Sequence, residues 1–151
     1  MRIVRCVEVR LTIPDNEAET ARETLERLGV PLGGLVRADL YRFELDASAE
    51  EGLVRTLSSL ETIYNPGKHA LRVRADAAPA PGEVWIDEIR PSAPPASAPV
   101  RIAGRELPGV WSVERFTAWR VEGAGGVPAT EAARRATETL LCNPAFQRAI
   151  L

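Results

Sequence analysis

Val7, Val9, Leu11 and Ile13 alternate with Glu8, Arg10 and Thr12. A period of two places the apolar set on one face of a strand. Pro14-Asp15-Asn16 ends that strand, and Asn16 followed by Glu19 predicts a capped helix start. Ala18, Ala21, Leu25 and Leu28 fall on one helical face, with Gly29 placed to stop the helix in the left-handed region. Pro31 and Gly33-Gly34 predict a turn, 35–38 a second strand and Asp39 a tight reversal. Tyr41, Phe43 and Leu45, alternating with Arg42 and Glu44, predict a third strand. Ser48 and Glu51 have capping-box spacing. Leu53, Leu57, Leu60 and Tyr64 mark a second helical face, closed by Asn65-Pro66-Gly67 because proline cannot continue a helix. His69, Leu71 and Val73 predict a fourth strand. The order strand, helix, strand, strand, helix, strand is the split βαβ, ferredoxin-like plan.

The second half has a looser pattern. Residues 75–83 are rich in Ala and Pro and read as a linker. Val84, Ile86 and Ile89 restart an extended segment, and 91–99 is a second Pro/Ala/Ser stretch. Strand-like residues return over 110–121, 123–126 is a loop, and Pro128 opens a helix running to Leu141. Asn143-Pro144 stops it. Displacing the chain by 78 positions sets Arg37 on Arg115, Tyr41 on Trp119, Arg42 on Arg120, Glu44 on Glu122 and Asn65-Pro66 on Asn143-Pro144. Such self-similarity is the mark of duplication, and it divides the chain into units 1–74 and 84–151. In the second unit the place of the first helix, 96–106, contains Pro99 and Gly104. A regular helix there would be weakened by about 3 kcal/mol at the proline alone. That helix is expected to be short, displaced or replaced by extended chain.

Composition narrows the function classes. With 19 basic and 21 acidic residues, the chain lacks the basic excess of a nucleic-acid binder. No apolar run reaches the length of a membrane span. The N-terminus enters an alternating pattern without a signal-peptide layout, so a cytoplasmic location is expected. Cys6 and Cys142 then read as reduced thiols, packed as small hydrophobes.

Together, Leu28-Gly29, Val36-Arg37, 41–45 and 63–66 resemble the PurS subunit of phosphoribosylformylglycinamidine synthase. In that family the second helix ends in Leu-Leu-x-Asn-Pro, and 140–144 carries Leu-Leu-Cys-Asn-Pro. The resemblance covers 4–74 well and 110–151 in part. It implies an α+β fold of two tandem ferredoxin-like, PurS-like units with antiparallel sheets, the second with a degraded first helix. It also implies an accessory subunit of an ATP-dependent amidoligase in purine biosynthesis, without an active site or cofactor of its own. Its partners would be a glutaminase subunit (PurQ-like) and a synthetase subunit (PurL-like), or further copies of itself. PurS usually works as a homodimer of single units, and a fused pair would imitate that dimer. The chain departs from the family at Pro14-Asp15-Asn16, where PurS usually carries Asp-Pro-x-Gly.

Candidate chemistry is sparse. His69 is the only histidine, so a Ser-His-Asp or Cys-His arrangement would have to use it; its strand-like setting reads as surface or packing. No His/Cys/Asp/Glu spacing matches zinc. The run 123–126 follows a strand and precedes a helix but matches neither phosphate-binding fingerprint, and reads as a connection. Glu50-Glu51 and Asp87-Glu88 read as solvated pairs, the former suited to a helix N-terminus. Arg37, Arg42, Arg115 and Arg120, with Trp119, are the candidate partner interface, set against a solvated strand face or, for Trp119, a place in the core. On that reading Arg37→Ala and Arg115→Ala leave stability nearly unchanged and weaken assembly. The competing function class is a small-molecule regulatory module of the ACT type, which shares the element order. The purified chain is expected to show no glutaminase, ATPase or synthetase turnover. Assays of the isolated protein check this, and turnover abolished by a point substitution in the chain would contradict it.

Overall fold

The computed structural model describes residues 1–89 and 100–151. Strand β1 covers Arg2–Leu11, helix α1 Asn16–Arg27, strand β2 Leu32–Asp46, helix α2 Glu50–Ser58 and strand β3 His69–Arg74. The second half contributes β4 (Glu83–Glu88), β5 (Arg101–Ile102), β6 (Arg105–Glu106), β7 (Val110–Gly123), α3 (Ala129–Ala136) and β8 (Gln147–Ile150). The fold is α+β, with a six-stranded sheet in the order β3-β1-β2-β7-β4-β8 and a separate β5-β6 hairpin. β1 runs antiparallel to β3, and β4 runs antiparallel to both β7 and β8.

Several expectations are corrected. Asp39 is not a reversal: β2 is one 15-residue strand running straight through it. Neither Gly33, Gly34 nor Asp39 adopts positive φ, so nothing forces the chain to turn there. Instead a Cβ on Gly33 would lie 2.8 Å from the Gly123 carbonyl oxygen, and the two glycines admit the end of β7 beside β2. The cap of α1 is Asp15 rather than Asn16: its carboxylate accepts from the Glu17 and Ala18 N–H groups. Gly29 does take the left-handed conformation, at φ 85°. Ser48 makes no capping bond. It lies in a 3₁₀ turn, Ala47–Ala49, and α2 begins at Glu50. The helix ends at Ser58, and Leu60, Ile63 and Tyr64 follow in turns bonded back to Leu57 and Leu60.

Of the degraded helix position, 96–99 lie outside the described residues, as do 91–95 of the second Pro/Ala/Ser stretch. Residues 101–106 form the β5-β6 hairpin, whose loop residues Ala103 and Gly104 both have positive φ (50° and 79°). Two such residues in a two-residue loop match a type I′ turn.

The described chain divides into two compact units, and neither is a continuous stretch. One contains 1–13, 40–77 and 100–115; the other contains 14–39, 78–89 and 116–151. The first has a core of Val7, Val9, Tyr41, Phe43, Leu45, Leu53, Leu57, Ile63 and Leu107. Val100 and Ile102 from the hairpin region pack against it. The second has a core of Leu25, Val30, Leu32, Val84, Ile86, Val121, Ala132, Ala133, Ala136 and Leu141. Each core takes side chains from both sides of 75–82. Burying an isolated large aliphatic side chain contributes about 1.5–3 kcal/mol, and neither half of the sequence holds a complete set. Fragments 1–77 and 78–151, expressed separately, are therefore expected to remain unfolded alone and to fold on mixing as a one-to-one complex. Circular dichroism and native mass spectrometry check this; independent cooperative folding of either fragment would contradict it.

Candidate functional site

The two Asn-Pro stops build the same turn in the two units. In the first, the Asn65 side-chain Oδ1 accepts from the Gly67 N–H at 2.8 Å, and the Asn65 N–H donates to His69 Nδ1 at 2.9 Å. The Asn65 carbonyl accepts from the Lys68 and His69 N–H groups at 3.0 and 2.8 Å. In the second, Asn143 Oδ1 accepts from the Ala145 N–H at 3.0 Å, and the Asn143 N–H donates to Gln147 Oε1 at 2.8 Å. The Asn143 carbonyl accepts from the Phe146 and Gln147 N–H groups at 3.2 and 2.8 Å. Each bond in one turn has its counterpart 78 positions along. Asparagine serves because its side chain can close a local turn with its own backbone. Proline serves because it fixes φ and cannot continue a helix, although α2 itself already ends at Ser58. Pro66 and Pro144 thus lead into the edge strands β3 and β8.

The candidate interface residues have diverse settings. Arg37 is held within the second unit: its Nε and Nη2 donate to the two Asp15 oxygens, both at 3.1 Å, and Nη1 donates to Glu17. Asp15 is also the cap of α1, so Arg37 fastens the start of that helix to β2. This replaces the expectation that Arg37 is dispensable for stability. In the first unit, Arg42 donates Nε and Nη2 to Glu114 Oε1 at 3.0 and 2.8 Å, and Nη1 to the Ala77 carbonyl at 3.1 Å. The Arg115 guanidinium lies 5.6 Å from the Tyr41 ring centroid, within cation–π range. In the second unit Arg120 approaches Glu83 at 3.8 Å, opposite it in the β4-β7 register. Trp119 is half-buried, packed against the second core, and lines an open groove. That groove has a volume of about 500 Å³ and runs between Thr20, Ala21 and Thr24 of α1 and Leu140-Leu141.

Two buried ionic sites were not visible in the alternating pattern. Glu8 and Arg74 are both buried in the first unit and lie 3.5 Å apart, with Arg72 3.3 Å from Glu8. Glu83 is buried in the second and accepts from Trp85 Nε1 at 2.7 Å. Glu8 stands between the core residues Val7 and Val9, so alternation alone assigns it to solvent. The signal for a second buried face was Cys6 and the apolar triplet 84–86, all buried. The Arg74 hydrogen bond holds the carboxyl of Asp76 below its usual range. Its stabilising contribution is present above the ordinary aspartate value and declines as pH falls through the lowered one. Because Asp76 is half exposed, the contribution is small. Cys6 is buried and Cys142 half-buried, both as free thiols.

Among the described residues no three His, Cys, Asp or Glu side chains gather as a metal set, and no helix is long and apolar enough to cross a membrane. No family model, curated protein or solved structure matches the chain.

The shared carboxylate of Asp15 makes a quantitative prediction. Asp15→Ala should destabilise the protein by about 1 kcal/mol through loss of the cap. Arg37→Ala should destabilise it as well, and the double variant should lose about 0.5 kcal/mol less than the sum of the two. Urea denaturation of the four proteins measures this. Strictly additive losses would show that cap and ion pair act independently.

Proposed function

We propose that the chain is a tandem pair of ferredoxin-like units acting as a non-catalytic assembly subunit. In this role it holds a PurQ-like glutaminase against a PurL-like ATP-dependent synthetase. The observation that carries the reading is the paired Asn-Pro turn, built bond for bond in two places on corresponding elements. It is the motif on which the resemblance to PurS rests, and its recurrence favours a duplicated unit standing in for a dimer.

The strand order supports the same reading. In a ferredoxin-like sheet the first and third strands are central and the second and fourth lie at the edges. The second unit matches that plan if β4 is the first strand, the start of β2 the second, the end of β7 the third and β8 the fourth. The first unit matches it with β1, the start of β7, the end of β2 and β3. Each unit then takes its second strand from the other copy. The helix α1 travels with one exchanged strand and the β5-β6 hairpin with the other. Such reciprocal exchange is domain swapping within one chain, and it converts the hairpin expected at Asp39 into a continuous strand.

In this reading Arg37, Arg42 and Arg120 serve their own units, and partner contact falls on Arg115 and on Trp119 with its groove. Aromatic and arginine side chains are over-represented among the residues that dominate interface energy. Sedimentation velocity of the chain mixed with PurQ-like and PurL-like subunits is expected to give a ternary complex. Trp119→Ala should weaken it by about 2 kcal/mol, roughly thirtyfold in affinity. Failure of the unaltered chain to associate with either subunit would contradict the proposal. Binding of an amino acid in place of the subunits would favour the ACT-type alternative.

A further inference from the structure

The two Asn-Pro turns differ at one chemically decisive position. The Asn65 N–H is accepted by an imidazole nitrogen, His69 Nδ1, at 2.9 Å. The corresponding Asn143 N–H is accepted by an amide oxygen, Gln147 Oε1, at 2.8 Å. An imidazole accepts only through an unprotonated nitrogen, whereas an amide oxygen accepts at any physiological pH. We propose that His69 is an acid-released latch on the turn joining α2 to β3, and that Gln147 is its pH-insensitive counterpart.

With Nδ1 accepting, the neutral ring carries its proton on Nε2. A second proton would place an N–H on Nδ1 facing the Asn65 N–H, turning an attractive contact into a repulsive one. The bond is therefore present while Nδ1 is unprotonated and lost on acidification. β1 presents Leu11 opposite His69, with Val9 next on the same face and Arg10 on the other. The segment after α2 presents Tyr64, whose ring centroid is 6.5 Å away, and Lys68 directly precedes His69 in the chain. Along β3, Leu71 follows on the same face.

The location gives the latch its effect. Among the described residues β3 is an outer strand paired with β1 alone, and His69 is its first residue. The His69 N–H and side chain both bond to Asn65, so protonation loosens the entry of the chain into an edge strand. In the other unit Gln147 is braced further, its Nε2 donating to Glu88 Oε1 at 2.9 Å. Acid thus removes one bond from one turn of the pair and leaves the other intact.

The test is ¹⁵N NMR of the full chain from about pH 8 to about pH 5, the interval in which histidine is the usual titrating side chain. The amide shifts and exchange protection of Asn65 and Asn143 are followed together with the His69 ring nitrogens. The Asn65 amide is expected to move with the ring titration and to lose about fivefold in protection relative to Asn143, the size of one net hydrogen bond. His69→Gln should remove both changes, and Gln147→His should install them at Asn143. An Asn65 amide that stays constant across the ring titration, or changes that persist in His69→Gln, would overturn the proposal. Should His69→Gln fail to fold, an Asn143 amide insensitive to pH in Gln147→His would overturn it equally.

Discussion

The structure depends on the continuity of two strands. β2 and β7, with 15 and 14 residues, each begin in one compact unit and end in the other. The start of β2 brings Leu32 to one core, and its end brings Tyr41, Phe43 and Leu45 to the other. β7 does the same in the opposite sense, with Val113 packed against the first core and Val121 within the second. Units of about 75 residues bury a smaller fraction of their surface than larger domains and are correspondingly marginal. Two continuous strands make both cores depend on the same backbone, so one cannot form its full set of contacts without the other's strands.

Much of the element list was legible because it rests on local rules. The alternation of β1, the face of α1, the left-handed Gly29, the strand 69–74 and the Pro128 helix start all follow from spacing and backbone preference. The replacement of a helix by a hairpin near Gly104 was foreshadowed by Pro99 and Gly104 themselves. The continuity of β2 was not legible. Leu40 and Tyr41 are consecutive and both buried, which breaks the alternation just where a turn would. In a sheet with buried residues on both faces, that break is a change of the buried face rather than a change of direction. The same second face hid Glu8, whose position in the pattern reads as solvent, and Glu83, which falls in the stretch read as a linker. The interface candidates were legible as residues and not as settings: partners such as Asp15 and Glu114 lie far from Arg37 and Arg42 in sequence, beyond any local rule.

The ionic groups sort by what they join. Arg37 ties a helix cap to a strand, Arg42 ties β2 to β7 and to the end of the 40–77 segment, and Arg74 reaches Glu8 and Asp76. The Arg37 and Arg42 contacts are multidentate, a geometry that lysine could not reproduce. Exposed pairs such as Arg22 with Glu19 and Arg134 with Glu131 lie along single helices and contribute little. Repetition of charge at 78 positions along therefore does not by itself mark an interface, since Arg37 and Arg115 occupy unlike settings.

The most direct test of this account is the distance between Val36 and Glu44, one on each side of Asp39 and both partly exposed in β2. Spin labels at these positions can be measured by double electron–electron resonance in the intact chain. A continuous extended segment spaces them by about 26 Å, from eight steps of roughly 3.3 Å. A hairpin turning at Asp39 would bring them to diagonal positions about 8 Å apart, below the range of the method. A single distance distribution near 26 Å is the result the account predicts. Collapse of that distribution to short range would contradict it, and with it the sharing of two strands between two cores.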